Sequence, residues 1–284
     1  MKILVTGGGG FIGKMVVSQA RNHRHTVTTY DAKDGHDILD KSDLAKHVCH
    51  CDGVVHLAGR LGTTETFGYM ERTLMVNISG AINVFEAAKN NHKKVVYLGT
   101  KVCNWYNPYL ISKRTACELA LMYSQYQDTD INVVRAMNVY GPGQHWGRIE
   151  KMVPTFIVNA IKGDPLKIYG DGKQVVDLIH VYDIAEIILK LMEGNQWGLD
   201  IEAGTGIATS INAVADMIIE HLGSYSRIEH TPMRIGEPPH STTIADTRAL
   251  NGVLDYWPQI DLADGMKGTI DWYRDHYQEV QDYG

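Results

Sequence analysis

A run of glycines closes the first strand-like segment of this chain and limits what can follow it. Lys2–Thr6 (KILVT) is apolar and β-branched and reads as a buried strand. Gly7-Gly8-Gly9-Gly10 comes next, then Phe11-Ile12-Gly13 at the head of a helical pattern. The spacing Gly7-x-x-Gly10-x-x-Gly13 gives each glycine a task. Gly7 permits a tight turn, Gly10 lets the backbone approach a pyrophosphate, and Gly13 lets the helix pack close to the strand. The free N–H groups at the helix start then present partial positive charge to phosphates. Asp31 lies 18 residues beyond Gly13, after a second strand-like run, Thr26–Tyr30 (TVTTY). A carboxylate there accepts both hydroxyls of an adenosine ribose and repels a 2′-phosphate, which points to NAD rather than NADP. Asp37-Ile38 falls where a loop can meet the adenine ring.

The same alternation continues. Gly53–Leu57, Lys94–Leu98 and Ile131–Arg135 read as further buried strands, with helical patterns at 12–22, 41–49, 68–90 and 108–126. Strands alternating with helices imply a parallel sheet covered on both faces. The expected fold class is α/β, a Rossmann-type doubly wound parallel sheet with a smaller mixed C-terminal lobe that binds substrate. The division falls at 1–140 and 141–284, with some later segments returning to the sheet. In the lobe, helices are expected near 151–162, 182–193, 210–222 and 262–278, and strands at 166–169, 175–180 and 199–203. With 284 residues, 44% hydrophobic and 21% charged, the chain can bury a core without disulfides. A net charge of −6 argues against nucleic acid as a partner. No apolar run reaches the length of a membrane span, and the start MKILVTGG has no signal-peptide pattern. Cysteines 49, 51, 103 and 117 form no disulfide framework, so a reducing cytoplasm is expected.

Tyr109-Leu-Ile-Ser-Lys113 follows Pro108 on a helical run, so Tyr109 and Lys113 share a face. An ammonium beside a phenol lowers the phenol's pKa and fits it to remove a proton from a sugar hydroxyl during oxidation. Thr100, at the end of the preceding strand, can hydrogen-bond the same hydroxyl.

With these residues in view, the chain resembles an extended short-chain dehydrogenase/reductase of the NAD-dependent epimerase/dehydratase family, whose members act chiefly on nucleotide sugars. The resemblance runs through TGGGGFIG (6–13), Asp31, HLAG (56–59), VNISG (76–80), Thr100, YLISK (109–113), RAMNVYGPGQ (135–144), YGDGKQ (169–174), IHVYDIA (179–185), RIGEP (234–238) and IADTRA (244–249). It implies that Thr100, Tyr109 and Lys113 are catalytic, with Lys113 also holding the nicotinamide ribose. It implies that Gly7, Gly10, Phe11, Ile12, Gly13, Asp31, Asp37, Ile38, Leu57, Ala58 and Gly59 line the NAD site, with Asn77 supporting a loop beside it. It further implies that Asn138 and Arg234 meet the substrate diphosphate and that Leu166, Ile168 and Tyr169 lie along the nucleotide base. A homodimer through the helices 68–90 and 108–126 is also implied, their apolar stripes being Met70, Leu74, Ile78 and Val84 on one and Leu110, Leu119, Met122 and Tyr123 on the other.

Two departures from the family pattern stand out. Val176 occupies a position where relatives often carry Arg, leaving Lys173, Arg148 or Arg234 to compensate. Only eight residues separate Thr100 from Tyr109, a short loop over the sugar site. The expected reaction is NAD-dependent epimerisation of a nucleotide-activated sugar through a transient 4-keto intermediate, with inversion at C4 or at C3/C5. Lys101-Val102 replaces the acidic pair that follows the catalytic Thr in dehydratases. Cys103 and Lys151 resemble the acid–base pair of 3,5-epimerases, and His145 is an alternative proton donor. The alternatives are a nucleotide-sugar reductase or dehydrogenase with net hydride transfer, and a non-catalytic dinucleotide-sensing protein. His47-Val-Cys49-His50-Cys51 lacks zinc-ligand spacing, and no metal is expected.

Overall fold

The computed structural model describes residues 1–101 and 105–281. The chain runs β1 (Lys2–Thr6), α1 (Phe11–Asn22), β2 (Thr26–Tyr30), α2 (Lys41–Cys49), β3 (Gly53–His56), α3 (Met70–Leu74), α4 (Gly80–Asn90), β4 (Lys94–Thr100), α5 (Pro108–Tyr126), β5 (Ile131–Ala136) and β6 (Asn138–Tyr140). It continues with α6 (Met152–Lys162), β7 (Leu166–Tyr169), β8 (Val175–Val176), β9 (Leu178–His180), α7 (Val181–Glu193), β10 (Asp200–Ala203), β11 (Thr209–Ser210), α8 (Ile211–Leu222), β12 (Ile228–Thr231), β13 (Thr242–Thr243), α9 (Arg248–Leu254), α10 (Leu262–Asp275) and α11 (Tyr277–Gln281).

Six strands form the main sheet in the order β10-β5-β4-β3-β1-β2, and every neighbouring pair is parallel. The two-residue period of a strand sorts its side chains. Ile3 and Val5 pack with Val16, Ile184 and Ile188 of α1 and α7 on one face. Leu4 packs with Leu44, Val84, Phe85 and Ala116 of α2, α4 and α5 on the other. Both faces are therefore apolar, as a doubly wound sheet requires. The winding direction reverses between β1 and β3. That reversal opens a crevice at the carboxyl ends of the strands.

Side chains fix where several helices begin. Asp40 accepts the Ser42 and Asp43 N–H groups at the start of α2, and Asn107 accepts the Leu110 N–H at the start of α5, with Pro108 in the first turn. Glycines in the left-handed region, Gly163 and Gly223, end α6 and α8.

A smaller core lies after β5. Tyr140, Phe156, Ile157, Leu166, Ile168, Ile218, Ile270 and Tyr273 pack together there. Short pairs frame it: β12 with β7, β6 with β9, and β11-β8-β13. Not all of the later chain belongs to this core. β10 pairs with β5 in the main sheet, and α7 lies against α1.

Three readings of the sequence need correction. The stretch 68–90 is not one helix: a 3-10 turn (Glu65–Tyr69), α3, a π-turn (Met75–Ser79) and α4 follow one another. The run 175–180 is two strands, because Asp177 turns inward between them. The run 262–278 ends its first helix at Asp275. β12 and α9 were not expected from the sequence pattern. Among the described residues no helix is long and apolar enough to cross a membrane.

Asp177 is fully buried and accepts four hydrogen bonds: from Thr205 N (2.9 Å), Thr205 Oγ1 (2.7 Å), Gly206 N (2.8 Å) and Ala245 N (3.1 Å). It pins the segment after β10 and the segment after β13 to the β8–β9 bend. Asp177→Asn keeps the size but turns one acceptor into a donor facing buried N–H groups. Unfolding in urea is expected to show a loss of about 2–4 kcal/mol.

Candidate active site

The glycine turn is built by close approach. Gly7 has φ 73°, and a Cβ there would stand 2.7 Å from the Ala58 nitrogen. A Cβ on Gly13 would run into the Gly7 carbonyl oxygen, which already accepts the Gly10 N–H at 3.0 Å. Gly10 is the N-cap of α1 and no side chain caps that helix, so its first N–H groups face the crevice. Beside them, Asp31 accepts Gly9 N (2.9 Å) on one carboxylate oxygen and Lys33 N (3.0 Å) on the other. Each oxygen keeps a lone pair for a ribose hydroxyl. Leu57-Ala58-Gly59 form the facing wall, with Leu57 N bonded to Thr6 O and Ala58 N to Thr6 Oγ1. A glycine cradle, uncapped helix N–H groups and a carboxylate with free lone pairs fit a dinucleotide. Asp37 is held by Arg72 (2.9 Å) and by the Leu39 N–H (3.0 Å), and these bonds keep its carboxyl below the usual range. Ile38 is buried against Gly80.

Asn77 is the clamp that spacing alone did not describe. It sits in the π-turn, 2% exposed. Its Oδ1 accepts Arg60 N (2.7 Å), and its Nδ2 donates to Arg60 O (2.9 Å) and to Ser112 Oγ (2.9 Å). Ser112 in turn donates to Tyr109 O (2.7 Å). One amide thus joins the loop after β3 to the first turns of α5. The π-turn supplies the extra residue that aims it there.

Thr100 ends β4 and Tyr109 opens α5. Lys113, 7% exposed, donates to Leu98 O at 2.5 Å and lies 4.3 Å from the centre of the Tyr97 ring. Burial pushes Lys113 down to about 8 and Tyr109 up to about 12. The expected lowering of the Tyr109 pKa is therefore absent from the protein alone: burial dominates, and the Lys113 ammonium is directed to a main-chain oxygen. Behind Lys113 lies His56, whose Nδ1 is 2.7 Å from Thr6 Oγ1. Burial and the Lys113 charge push it down to about 3, so it is neutral. Tyr97, His56 and Ser112 were not anticipated; no spacing rule marks them, because they act from under the site.

Several cations of the later lobe lie beside acids. Lys151, the N-cap of α6, is pushed down to about 8 by burial, with Glu65 opposing and Arg234 reinforcing. Arg234 pairs with Glu237 (2.6 Å) and lies 5.3 Å from the Tyr169 ring centre; the Tyr169 hydroxyl donates to Glu150 (2.7 Å). Glu65 accepts the Glu150 N–H (3.1 Å). The side chains of Leu166 and Ile168, 0% and 1% exposed, point into the lobe core, which leaves the backbone of their strand to face a ligand. Asn138 is exposed and 3.4 Å from Thr243 Oγ1. Arg148 is exposed and has no ion pair among the described residues. Val176 lies in β8 between Thr209 and Thr243, with no cation in its place. Lys101 is taken up by Glu202 (2.5 Å). Cys103 lies outside the described residues.

The unfolded chain keeps its lysines protonated to about pH 10.5, whereas the folded chain releases Lys113 near pH 8. Between those values the unfolded state binds more protons, so this group makes stability rise with pH. Lys113→Met is expected to gain most over the unmutated protein below pH 8, by at most about 3 kcal/mol. The gain should shrink toward pH 10.5. Thermal unfolding of both proteins across that range checks this.

The sequence model of the NAD dependent epimerase/dehydratase family matches residues 3–203. The chain is 29% identical to the UDP-N-acetyl-alpha-D-glucosaminuronate decarboxylase of Bacillus cytotoxicus, over 96% of this chain and 98% of the relative. It is 27% identical to the dTDP-glucose 4,6-dehydratase of an Actinoplanes species, over 96% and 98%. Among solved structures, MoeE5 in complex with UDP-glucuronic acid and NAD superimposes with a TM-score of 0.88. That likeness has 27% identity and covers 97% of this chain and 99% of that one.

Proposed function

Because this chain belongs to the NAD dependent epimerase/dehydratase family, we propose that it epimerises a nucleotide-activated sugar through a transient 4-keto intermediate. It is an enzyme, and NAD is its cofactor. NAD, when bound, supplies reversible acceptance of a hydride from a sugar carbon. In this reading the Gly7–Gly13 turn and α1 hold the diphosphate of NAD, and Asp31 holds the adenosine ribose. Thr100 orients the sugar hydroxyl. Tyr109 takes its proton and later returns it. Lys113 is anchored on Leu98 O and supplies positive charge under the site.

The observation that carries the epimerase reading is the pairing of that set with Lys101. The residue after Thr100 is a lysine neutralised by Glu202, so the carboxylic acid a dehydratase would need is missing there. Lys151 favours a second version of the same reading. A lysine brought to about 8 by burial can exchange protons near neutral pH, which suits inversion at C3 or C5 beside a 4-keto group. Cys103 is the proposed partner on the opposite face of the sugar. Arg234, Tyr169, Asn138 and Arg148 are the proposed contacts to the nucleotide diphosphate.

Incubation with UDP-, dTDP-, GDP- and CDP-sugars in D2O, read by NMR, tests this. Inversion at C4 without solvent deuterium supports simple 4-epimerisation. Deuterium at C3 or C5 that disappears in Lys151→Met supports the second version. Stoichiometric formation or consumption of NADH would replace the epimerase by a reductase or dehydrogenase. Tyr109→Phe is expected to lower turnover by about 100-fold or more with NAD affinity unchanged.

We also propose a homodimer through the stretch 68–90 and α5. Val84 and Tyr123 are buried and pack with the sheet, but Met70 and Met75 are 48% and 42% exposed, with Phe67 and Tyr69 beside them in sequence. Light scattering is expected to give the mass of two chains, and of one chain for the Met70→Glu/Met75→Glu variant.

A further inference from the structure

Four side chains converge at the edge of the main sheet opposite the cleft. His23 is the C-cap of α1, and β2 begins at Thr26. Between them Arg24 takes φ 64°, a left-handed conformation uncommon for a long side chain. The turn is closed by Arg24 N to Arg21 O and His25 N to Ala20 O. It brings both imidazoles onto Glu193, the last residue of α7. Nδ1 of His23 lies 2.9 Å, and Nε2 of His25 2.7 Å, from the same oxygen, Oε1 of Glu193. Nδ1 of His25 is 3.2 Å from the Met1 nitrogen.

The other nitrogen of His23 meets a second carboxylate. Its Nε2 is 3.4 Å from Oε2 of Glu186, two turns earlier on α7. Glu186 is 8% exposed, and its remaining oxygen, Oε1, is buried without a hydrogen-bond partner. The lysine nearest in sequence, Lys190, instead lies over the Tyr256 ring at 5.4 Å.

A carboxylate that accepts one imidazole N–H fixes the tautomer and leaves the opposite nitrogen with its lone pair outward. That is the outer-shell arrangement around metal-binding histidines. Nε2 of His23 faces Glu186 at 3.4 Å, and Nδ1 of His23 and Nε2 of His25 are each hydrogen-bonded to one oxygen of Glu193. A divalent ion that displaces the ring protons from this shared oxygen would meet donors already converged on one point. With His25 Nε2 the set is two imidazoles and a carboxylate, which suits zinc-class ions rather than magnesium or calcium. Tetrahedral bonds of about 2.0 Å place donors about 3.3 Å apart, so the rings need to withdraw by only about half an ångström. The Glu193 side chain is 36% exposed and the His23 side chain 30%, leaving a path for the ion and a position for water.

We propose that His23, His25 and Glu193 bind a divalent transition-metal ion of the zinc class, with Glu186 orienting His23, so that the ion staples the end of α1 to α7. A second group, His36, Asp43 and His47, is a natural control. There His47 Nδ1 donates to the Asp43 main-chain oxygen (2.9 Å), and both rings pack on Tyr30.

Chelator-treated protein titrated with zinc by calorimetry, and with cobalt by visible absorption, tests the proposal. A single ion per chain, an intense four-coordinate cobalt band and a higher Tm in zinc are expected. His23→Gln/His25→Gln should weaken binding by about 100-fold or more, and Glu186→Gln by about 10- to 100-fold with the stoichiometry kept. Asp43→Asn should change nothing. If the double variant does not fold, Glu193→Gln makes the same measurement. Absence of binding overturns the proposal, as does binding that survives His23→Gln/His25→Gln.

Discussion

The fit of the Gly13 Cα against the Gly7 carbonyl is the constraint on which the rest depends. No side chain can occupy that gap, and because it is closed, α1 starts directly at the end of β1. The uncapped end of α1 then faces the crevice where the sheet reverses direction. Asp31 is brought in by β2, which pairs with β1 in register, Thr6 opposite Tyr30. The facing wall comes from β3, whose continuation packs on Gly7 itself. The site is therefore a consequence of main-chain packing at one strand end, with side chains added around it.

Much of this was legible from residue order. Four of the five early strands are short β-branched runs buried on both faces, and such runs have few other uses, whereas β2, read as buried, lies at the sheet edge with Thr26 and Thr28 exposed. Asp31, Tyr109 and Lys113 were readable because their spacing is set by a strand end or a helical turn. The stretch 68–90 was not readable in detail. Its apolar period continues through the break, and only the burial of Asn77 between Arg60 and Ser112 shows why the helix widens. The burial of the Leu166 and Ile168 side chains was not readable for a related reason. Alternation tells which residues share a face but not which face is the core. His56 and Tyr97 lie beneath the site at ordinary strand positions, where pattern offers no distinction from packing. The pairing of His23 and His25 with Glu193 depends on one left-handed residue and on a helix about 170 residues away, and neither is visible in a local motif.

The substrate side carries its charge in pairs. Arg234 is shared with Glu237, and Lys101 is held by Glu202. Lys151 is weakened by burial. In a chain of net charge −6, this leaves little free positive potential for a second diphosphate. Under the proposed function, a phosphate arriving at Arg234 exchanges one anion for another, so Arg234 contributes direction more than affinity. Affinity then rests, in that reading, on hydrogen bonds, on apolar contact with the sugar nucleotide and on exposed Arg148.

The π-turn at Met75–Ser79 also sets a rule for lengths. An α-helix advances about 100° per residue, and the turn holds one residue more than an α-helix would. Removing a single residue from it would let the segment close into a regular helix with α3 and α4 nearly in phase, and would take away the widening that turns Asn77 toward Arg60 and Ser112. Asn77 would then face away from either Arg60 or Ser112. The count of residues between Met70 and Asn90 is thus as much a part of the site as the identity of Asn77, and a deletion there would cost function while leaving a better helix.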